Sequence, residues 1–259
     1  MSIIEAILLG VVEGVTEFLP ISSTAHLVIA SRLLQVPESA FLGSFIIAIQ
    51  LGAIGAVVLL YWRTILLNPE GIKRIAVAFV PTAVAGFVLY QLLKNVLLEN
   101  LALIAWALVL GGIVLIVFER WYAARPKQAA VPLESLPFRT AFLIGCAQAL
   151  AIIPGVSRAG ATIIGGLALG VGRKEIVEFS FLLAIPTMLA ATGYDLLKSG
   201  SAFATNDWGL LGLGFIVSFV AAYASVRWLL RFIQTHTFTG FGWYRIVIGG
   251  AILAVLYIA

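Results

Sequence analysis

Six long apolar runs dominate this chain, and they restrict the class of fold that it can adopt. An α-helix needs about 20 apolar residues to cross a bilayer, and each run approaches or exceeds that length. Only 11% of the residues are charged, whereas a soluble domain has about 25%. The chain is therefore predicted to be an all-α polytopic membrane protein. The runs cover residues 41–62, 75–93, 101–118, 176–197, 209–230 and 243–258.

Two further apolar segments are interrupted by a proline and carry polar side chains. Residues 13–26 read EGVTEFLPISSTAH, and residues 148–162 read QALAIIPGVSRAGAT. Each segment is predicted to form a re-entrant hairpin, two half-helices that enter and leave the membrane on the same side. Non-helical backbone survives at that depth only where it is buried in protein or lines a cavity. Because ionisable side chains are costly there, they predict a functional site.

The two interrupted segments indicate an internal repeat. Aligning their prolines places Ser23 on Ser157, and it leaves Glu13 and Gln148 one residue out of register. Each half of the chain then consists of one hairpin followed by three crossing helices.

The predicted organisation is a single membrane domain over residues 1–259. Repeat one spans residues 1–120, a linker spans 121–137 and repeat two spans 138–259. Because three crossings are an odd number, the second repeat lies upside down relative to the first. This is an inverted-topology repeat, and such folds place their sites where the broken helices of both halves meet.

The distribution of basic residues agrees with that topology. Only Arg32, Lys94 and Lys198 fall on the side of the N-terminus, and Arg158 lies in the second hairpin. Lys and Arg are enriched in cytoplasmic loops, so both termini are predicted to face outward. The basic residues assigned to the opposite side are Arg63, Lys73, Arg74, Arg120, Arg125, Lys127, Arg139, Arg173, Lys174, Arg227, Arg231 and Arg245.

Each proline is followed by serine at the start of a new helix. A helix N-terminus offers free backbone N–H groups and partial positive charge, which suit a phosphate group. Two such ends from opposite halves would hold a diphosphate, and the guanidinium of Arg158 matches phosphate geometry. The residues predicted to bind substrate are Ser22, Thr24, Ser157, Arg158, Thr162 and Gln148.

Two carboxylates accompany this anion site. Glu13 and Glu17 are four residues apart and therefore lie on one helix face. They would repel a phosphate unless a positive charge compensates, so a Mg²⁺ or Ca²⁺ ion between carboxylate and phosphate is predicted. Protonation of one carboxylate is the alternative.

The first segment also carries a candidate nucleophile. His26 follows Ser23 by three residues, so the two share a helix face and the imidazole can act as base toward the hydroxyl. We predict Ser23 as nucleophile, assisted by Glu17 and His26, with Arg158 clamping the phosphates. Attack by water, or by His26 itself, is left open.

Both segments, with FSFLLAIP at residues 179–186, resemble the undecaprenyl-diphosphatase family, also known for bacitracin resistance. The resemblance covers nearly the whole chain. It implies hydrolysis of undecaprenyl diphosphate to the monophosphate, which recycles the lipid carrier of cell-wall synthesis. It also implies a site that opens to the outer face of the cytoplasmic membrane. Many members of the family have serine at the position of Ala159. The matching positions are Glu13, Glu17, Ser22, Ser23, His26, Ser157, Arg158 and Thr162.

A second class of function fits the same pattern. Inverted repeats with broken helices are also the architecture of secondary transporters, so a lipid flippase is the rival prediction. Hydrolysis in detergent, where no gradient exists, separates the two. The predicted partners are a polyprenyl diphosphate lipid and the bilayer, with no nucleic acid, and a homodimer is left open.

Overall fold

The fold was described from a computed structural model that covers residues 1–92, 100–125, 131–199 and 208–258. Within these ranges ten α-helices are joined by turns and short 3₁₀ segments. Six of the helices are long and apolar enough to cross a membrane, by length and composition. The predicted all-α, multi-pass fold is therefore confirmed. Lys94, Lys127 and residues 126–130 of the predicted linker lie outside the described residues.

Both halves of the described chain have two short helices followed by three long ones. The helices of the first half are α1 (Ile3–Thr16), α2 (Ser23–Leu33), α3 (Ala40–Leu67), α4 (Pro69–Leu92) and α5 (Leu101–Ala123). Those of the second half are α6 (Phe138–Ala149), α7 (Arg158–Ala168), α8 (Arg173–Ser199), α9 (Trp208–Phe232) and α10 (Thr239–Ile258).

The short helices have defined ends. Ser2 caps α1, because its hydroxyl accepts from the backbone N–H of Glu5 at 3.2 Å while its own N–H donates to the Glu5 carboxylate at 2.8 Å. With 14 residues, α1 is about 21 Å long, and the 11 residues of α2 extend about 16 Å. Neither length reaches across the roughly 30 Å hydrocarbon core of a bilayer.

The correspondence between the two halves differs by one residue from the alignment of the prolines. An offset of 135 residues carries the first residue of α1 onto that of α6, and both ends of α2 onto those of α7. The same offset pairs Ser22 with Ser157, which share an unusual backbone conformation with φ of 72° and 75°. The pairing of Ser23 with Ser157 was therefore wrong, because Gly155 adds one residue between proline and serine in the second half.

The two halves pack through contacts between helices of different halves. The first short helix of each half lies against the second long helix of the other, so α1 packs on α9 and α6 packs on α4. In the same way α3 contacts α9 and α8 contacts α4, while α5 and α10 pair with each other. Gly145 lets α6 approach the carbonyl of Ala78 in α4, where a Cβ atom would clash. Interchanging the halves therefore leaves this set of contacts unchanged.

An ion pair joins α5 to α8. The guanidinium of Arg173 donates to both carboxylate oxygens of Glu119, at 2.6 and 2.9 Å. The backbone N–H of Phe238, just before α10, donates to the same carboxylate at 3.0 Å. Glu119 is buried, so this pair ties three parts of the chain together.

Candidate active site

The two interrupted segments are brought together in space. Each new helix begins directly after a serine with positive φ, Ser22 before α2 and Ser157 before α7. This conformation is uncommon for a residue with a side chain and is found mostly where surrounding structure holds it in place. The Ser157 hydroxyl accepts from the N–H of Gly160 at 3.2 Å, whereas Ser22 makes no such cap bond. The hydroxyl of Ser22 therefore has the greater freedom to bind a ligand.

Glu17 is the point at which the two segments join. One of its carboxylate oxygens accepts a hydrogen bond from the hydroxyl of Ser23. The other faces Nη2 of Arg158 at 3.4 Å, across 141 residues of sequence. Nη1 of Arg158 donates to the carbonyl of Ser180 at 2.8 Å, which helps to fix the guanidinium. A carboxylate, a hydroxyl and a guanidinium thus form one contiguous group.

This group lies at one end of a cavity of about 970 Å³. The polar end is formed by both breaks, and apolar side chains from α2, α3 and α8 form the walls. The opposite end reaches the connection between α2 and α3, with Arg32 and Glu38. The site residues on the cavity wall are Glu17, Ser22, Ser23, Thr24, Ser157 and Arg158.

His26 is held away from this cavity. One ring nitrogen, Nδ1, lies 2.7 Å from the carbonyl of Ser22, and Nε2 lies 2.8 Å from the hydroxyl of Tyr244. A carbonyl only accepts, so Nδ1 carries a proton, and when the ring is neutral Nε2 accepts from the hydroxyl of Tyr244. The two rings are nearly parallel, with an angle of 6° between their planes. The expected contact between His26 and the Ser23 hydroxyl is replaced by these partners.

Gln148 and Thr162 lie behind the cavity wall. Gln148 is 1% exposed, and its amide donates to the hydroxyls of Thr82 and Thr187 at 2.9 and 3.1 Å. Thr162 donates to the Gln148 carbonyl at 3.2 Å and to the backbone of its own helix. Both side chains are committed to a buried polar network among α4, α6, α7 and α8. The structure does not bring them to the cavity, so the expected substrate contact is not supported.

Glu13 is fully buried, and neither of its carboxylate oxygens has a hydrogen-bond partner. A charged carboxylate in that state is costly and calls for a proton or a cation. Among the described residues, no group of three or more His, Cys, Asp or Glu side chains is arranged to hold a metal ion. A cation on Glu13 and Glu17 would therefore need phosphate oxygens to complete its shell, which is the usual way in which Mg²⁺ binds.

Sequence reasoning missed Arg245. It assigned this residue to the cytoplasmic side, but Arg245 lies inside α10 and is 2% exposed. Its guanidinium reaches backbone carbonyls of both breaks, at Pro20, Gly155 and Val156. The signal was its position inside the apolar run of residues 243–258, where a charged side chain is costly. Tyr244, the partner of His26, was missed as well.

Known proteins resemble this chain over nearly its whole length. The model of the family described as bacitracin resistance protein BacA matches residues 6–251. The chain is similar to an undecaprenyl-diphosphatase of Aquifex aeolicus, 49% identical over 95% of each chain. It is also similar to undecaprenyl-diphosphatases of Thermus thermophilus, 50% identical over 94% of each chain, and of a Sulfurihydrogenibium species, 47% identical over 96% of this chain and 97% of the relative.

Proposed function

The chain belongs to the family of the bacitracin resistance protein BacA, and from this premise we propose that it hydrolyses undecaprenyl diphosphate to undecaprenyl phosphate. The relatives that are named for this activity align with this chain over almost their whole length. The reaction returns the lipid carrier to cell-wall synthesis. The family name links the same activity to resistance against bacitracin.

One observation carries the assignment of the site: Glu17 contacts both Ser23 and Arg158 in a single cavity. Phosphoryl transfer depends mainly on positioning and on stabilising charge, and this group supplies both. Arg158 and the N-termini of α2 and α7 bind the diphosphate, because cations and free N–H groups surround the phosphate oxygens there. The apolar walls accept the first part of the polyprenyl chain.

The geometry supports Ser23 as the nucleophile. Its Oγ attacks the terminal phosphorus while its proton passes to Glu17, and the anhydride P–O bond breaks to leave undecaprenyl phosphate. Water then hydrolyses the phosphoserine, which releases inorganic phosphate and restores the hydroxyl. Direct attack by water, with Glu17 as base, is the alternative path. His26 acts on the backbone of the first break through the carbonyl of Ser22, since its ring nitrogens are engaged outside the cavity.

We further propose a divalent cation, Mg²⁺ or Ca²⁺, on the carboxylates of Glu13 and Glu17. The two unpartnered oxygens of Glu13 support this choice, and so does the substrate, whose phosphates would complete the shell. The cation would neutralise charge that develops on the phosphate oxygens. Activity that survives complete chelation would contradict this proposal.

The finer topology is also proposed: two re-entrant hairpins within an inverted-topology repeat. The lengths of α1 and α2 support hairpins, because neither helix reaches across a bilayer. The helix contacts that survive exchange of the halves support a two-fold relation, and three crossings per half place the axis in the membrane plane. Repeats of residues 1–120 and 138–259 within one domain follow from this arrangement.

We propose that the protein lies in the inner membrane with both termini outside and the cavity open to the outer face. Eleven of the twelve basic residues assigned to the cytoplasmic side keep that assignment after Arg245 is removed, against three on the other side. The cavity ends beside Arg32 and Glu38, on the side of the N-terminus in this topology. The orientation is tested in intact cells by labelling single cysteines that are placed at the termini of the protein.

Phosphate release from undecaprenyl diphosphate by purified protein in detergent tests the function. We expect release by the parent protein, strong loss in Arg158→Ala and sensitivity to a chelator. The Arg158→Lys variant, checked by size exclusion, keeps the test valid if the alanine variant fails to fold. No release by a well-folded parent would contradict the proposal and favour lipid transport. Light scattering on the same sample decides whether the homodimer exists.

A further inference from the structure

Arg245 makes an unusual set of hydrogen bonds. Arginine has five N–H groups, and each group of Arg245 that donates does so to a backbone carbonyl. Nη1 reaches the carbonyls of Pro20 at 3.1 Å and Val156 at 3.0 Å, and Nη2 reaches that of Gly155 at 2.9 Å. The remaining acceptors are the carbonyls of α5 at Ala107, 3.1 Å from Nη2, and Leu108, 3.4 Å from Nε.

The three acceptors that lie in the breaks have no partner within a regular helix. Pro20 belongs to the first break, and Gly155 and Val156 belong to the second. A carbonyl at a helix break lacks the N–H that would bind it four residues later, and it is costly to bury unless another donor replaces it. One planar guanidinium therefore satisfies both breaks and holds them at a defined separation.

The space for this side chain is prepared by α5. Gly111 faces the guanidinium so closely that a Cβ atom there would overlap Nη2 of Arg245. On the other side, Gly160 in the first turn of α7 lies beside Nη1, with a Cβ position 3.5 Å away. Arg245 thus fills a slot between α5 and the start of α7.

Holding these carbonyls also directs the amide groups of the breaks. No peptide bond of the described residues is cis, so each N–H points opposite to the carbonyl of the preceding residue. The carbonyl of Val156 points to Arg245, and the N–H of Ser157 therefore points away from it. Because Ser157 lines the cavity, this arrangement leaves its N–H available to an anion, whereas the N–H groups of Ile21 and Val156 donate to the carbonyls of Leu19 and Ile153.

We propose that Arg245 is a positioning residue for the hydrolysis of the lipid diphosphate, which aligns the first break with the second through their backbone carbonyls. The inference rests on the proposed function. In this role Arg245 makes no contact with substrate. The relative placement of Ser23 and Arg158 then depends on α10, which carries neither residue.

The test is the Arg245→Lys variant of the full-length protein in detergent, because an ammonium has three donors that cannot span the same carbonyls. Arg173→Lys is the matched control: it alters a guanidinium that also ties helices together, through Glu119, but touches neither break. Turnover is expressed per folded protein, and amide hydrogen exchange is followed in peptides that cover residues 17–25 and 153–161. Gly111→Ala, which displaces Arg245 without removing its charge, replaces the lysine variant if that variant does not fold.

We expect kcat of Arg245→Lys to fall by about 10- to 100-fold, with KM within about threefold, since a misplacement on the order of 1 Å costs about that much in rate. Exchange should become faster in both peptides, and Arg173→Lys should change neither kcat nor exchange. Unchanged kcat, equal loss in the control, or unchanged exchange in either peptide would overturn the proposal. If the parent protein does not hydrolyse the lipid, the proposed function fails, and the exchange comparison alone decides the role of Arg245.

Discussion

Replacement of Glu17 by glutamine tests the centre of the site with almost no change in shape. Arg158 only donates hydrogen bonds, so the amide oxygen of the new side chain must face the guanidinium. The NH₂ group is then directed at Ser23, whose hydroxyl loses the acceptor that it has in the parent protein. The variant therefore removes the proton acceptor and leaves the nucleophile in place.

The size of the effect follows from these contacts. Loss of a positioned general base reduces turnover by about 10²- to 10⁴-fold. The side chains of Glu17 and Arg158 are 8% and 12% exposed, so water has little access to their ion pair. Removing one partner of a buried pair costs about 3 kcal/mol at the lower end of the usual range, and glutamine keeps part of the hydrogen bonding. We expect a lower midpoint of thermal unfolding together with the loss of turnover.

Glu13→Gln is the matched control for the fold, because it makes the same change one helical turn earlier. Glu13 has no hydrogen-bond partner, so removing its charge should leave the unfolding midpoint unchanged or raise it. Phosphate release and the unfolding midpoint are measured on both variants in the same detergent. A folded Glu17→Gln protein with kcat within tenfold of the parent would refute Glu17 as the base.

Ser23→Ala should abolish the phosphoenzyme that is trapped with substrate labelled at the terminal phosphate, and persisting turnover would assign the attack to water. Tyr244→Phe removes a partner of His26 outside the cavity and should reduce kcat less than tenfold; a larger loss would contradict the placement of His26. Glu119→Gln weakens the pair with Arg173 and should lower the unfolding midpoint while kcat per folded protein stays within threefold.

Much of the fold is predictable from the sequence, because membrane crossing imposes a length and a composition that can be counted. Each of the six helices that are long and apolar enough to cross a membrane contains most of one predicted apolar run. The two breaks are equally visible, since Pro20 and Pro154 interrupt apolar sequence just before serines that begin new helices. Features that depend on residues close together in the sequence can therefore be predicted from the sequence.

Contacts between residues that are distant in the sequence cannot be predicted in this way. The spacing of His26 and Ser23 is correct for one helix face, but the packing of α2 against α10 decides which direction that face takes. Gln148 matched Glu13 in position, yet its neighbours Thr82 and Thr187 come from distant helices. Arg245 was misplaced for the same reason, because its five acceptors are scattered from residue 20 to residue 156.

The proposed repeat accounts for a site that draws on both halves. With an offset of 135 residues, Ser23 and Arg158 occupy equivalent positions, each the first residue of its helix. Two serines there would leave a diphosphate without a guanidinium to bind it, whereas two arginines would repel each other and supply no nucleophile. Equivalent positions with different side chains place a hydroxyl and a guanidinium on the two carboxylate oxygens of Glu17. The proposed phosphate contacts through backbone N–H groups are therefore equivalent in the two halves, whereas the proposed nucleophile and base both come from the first half.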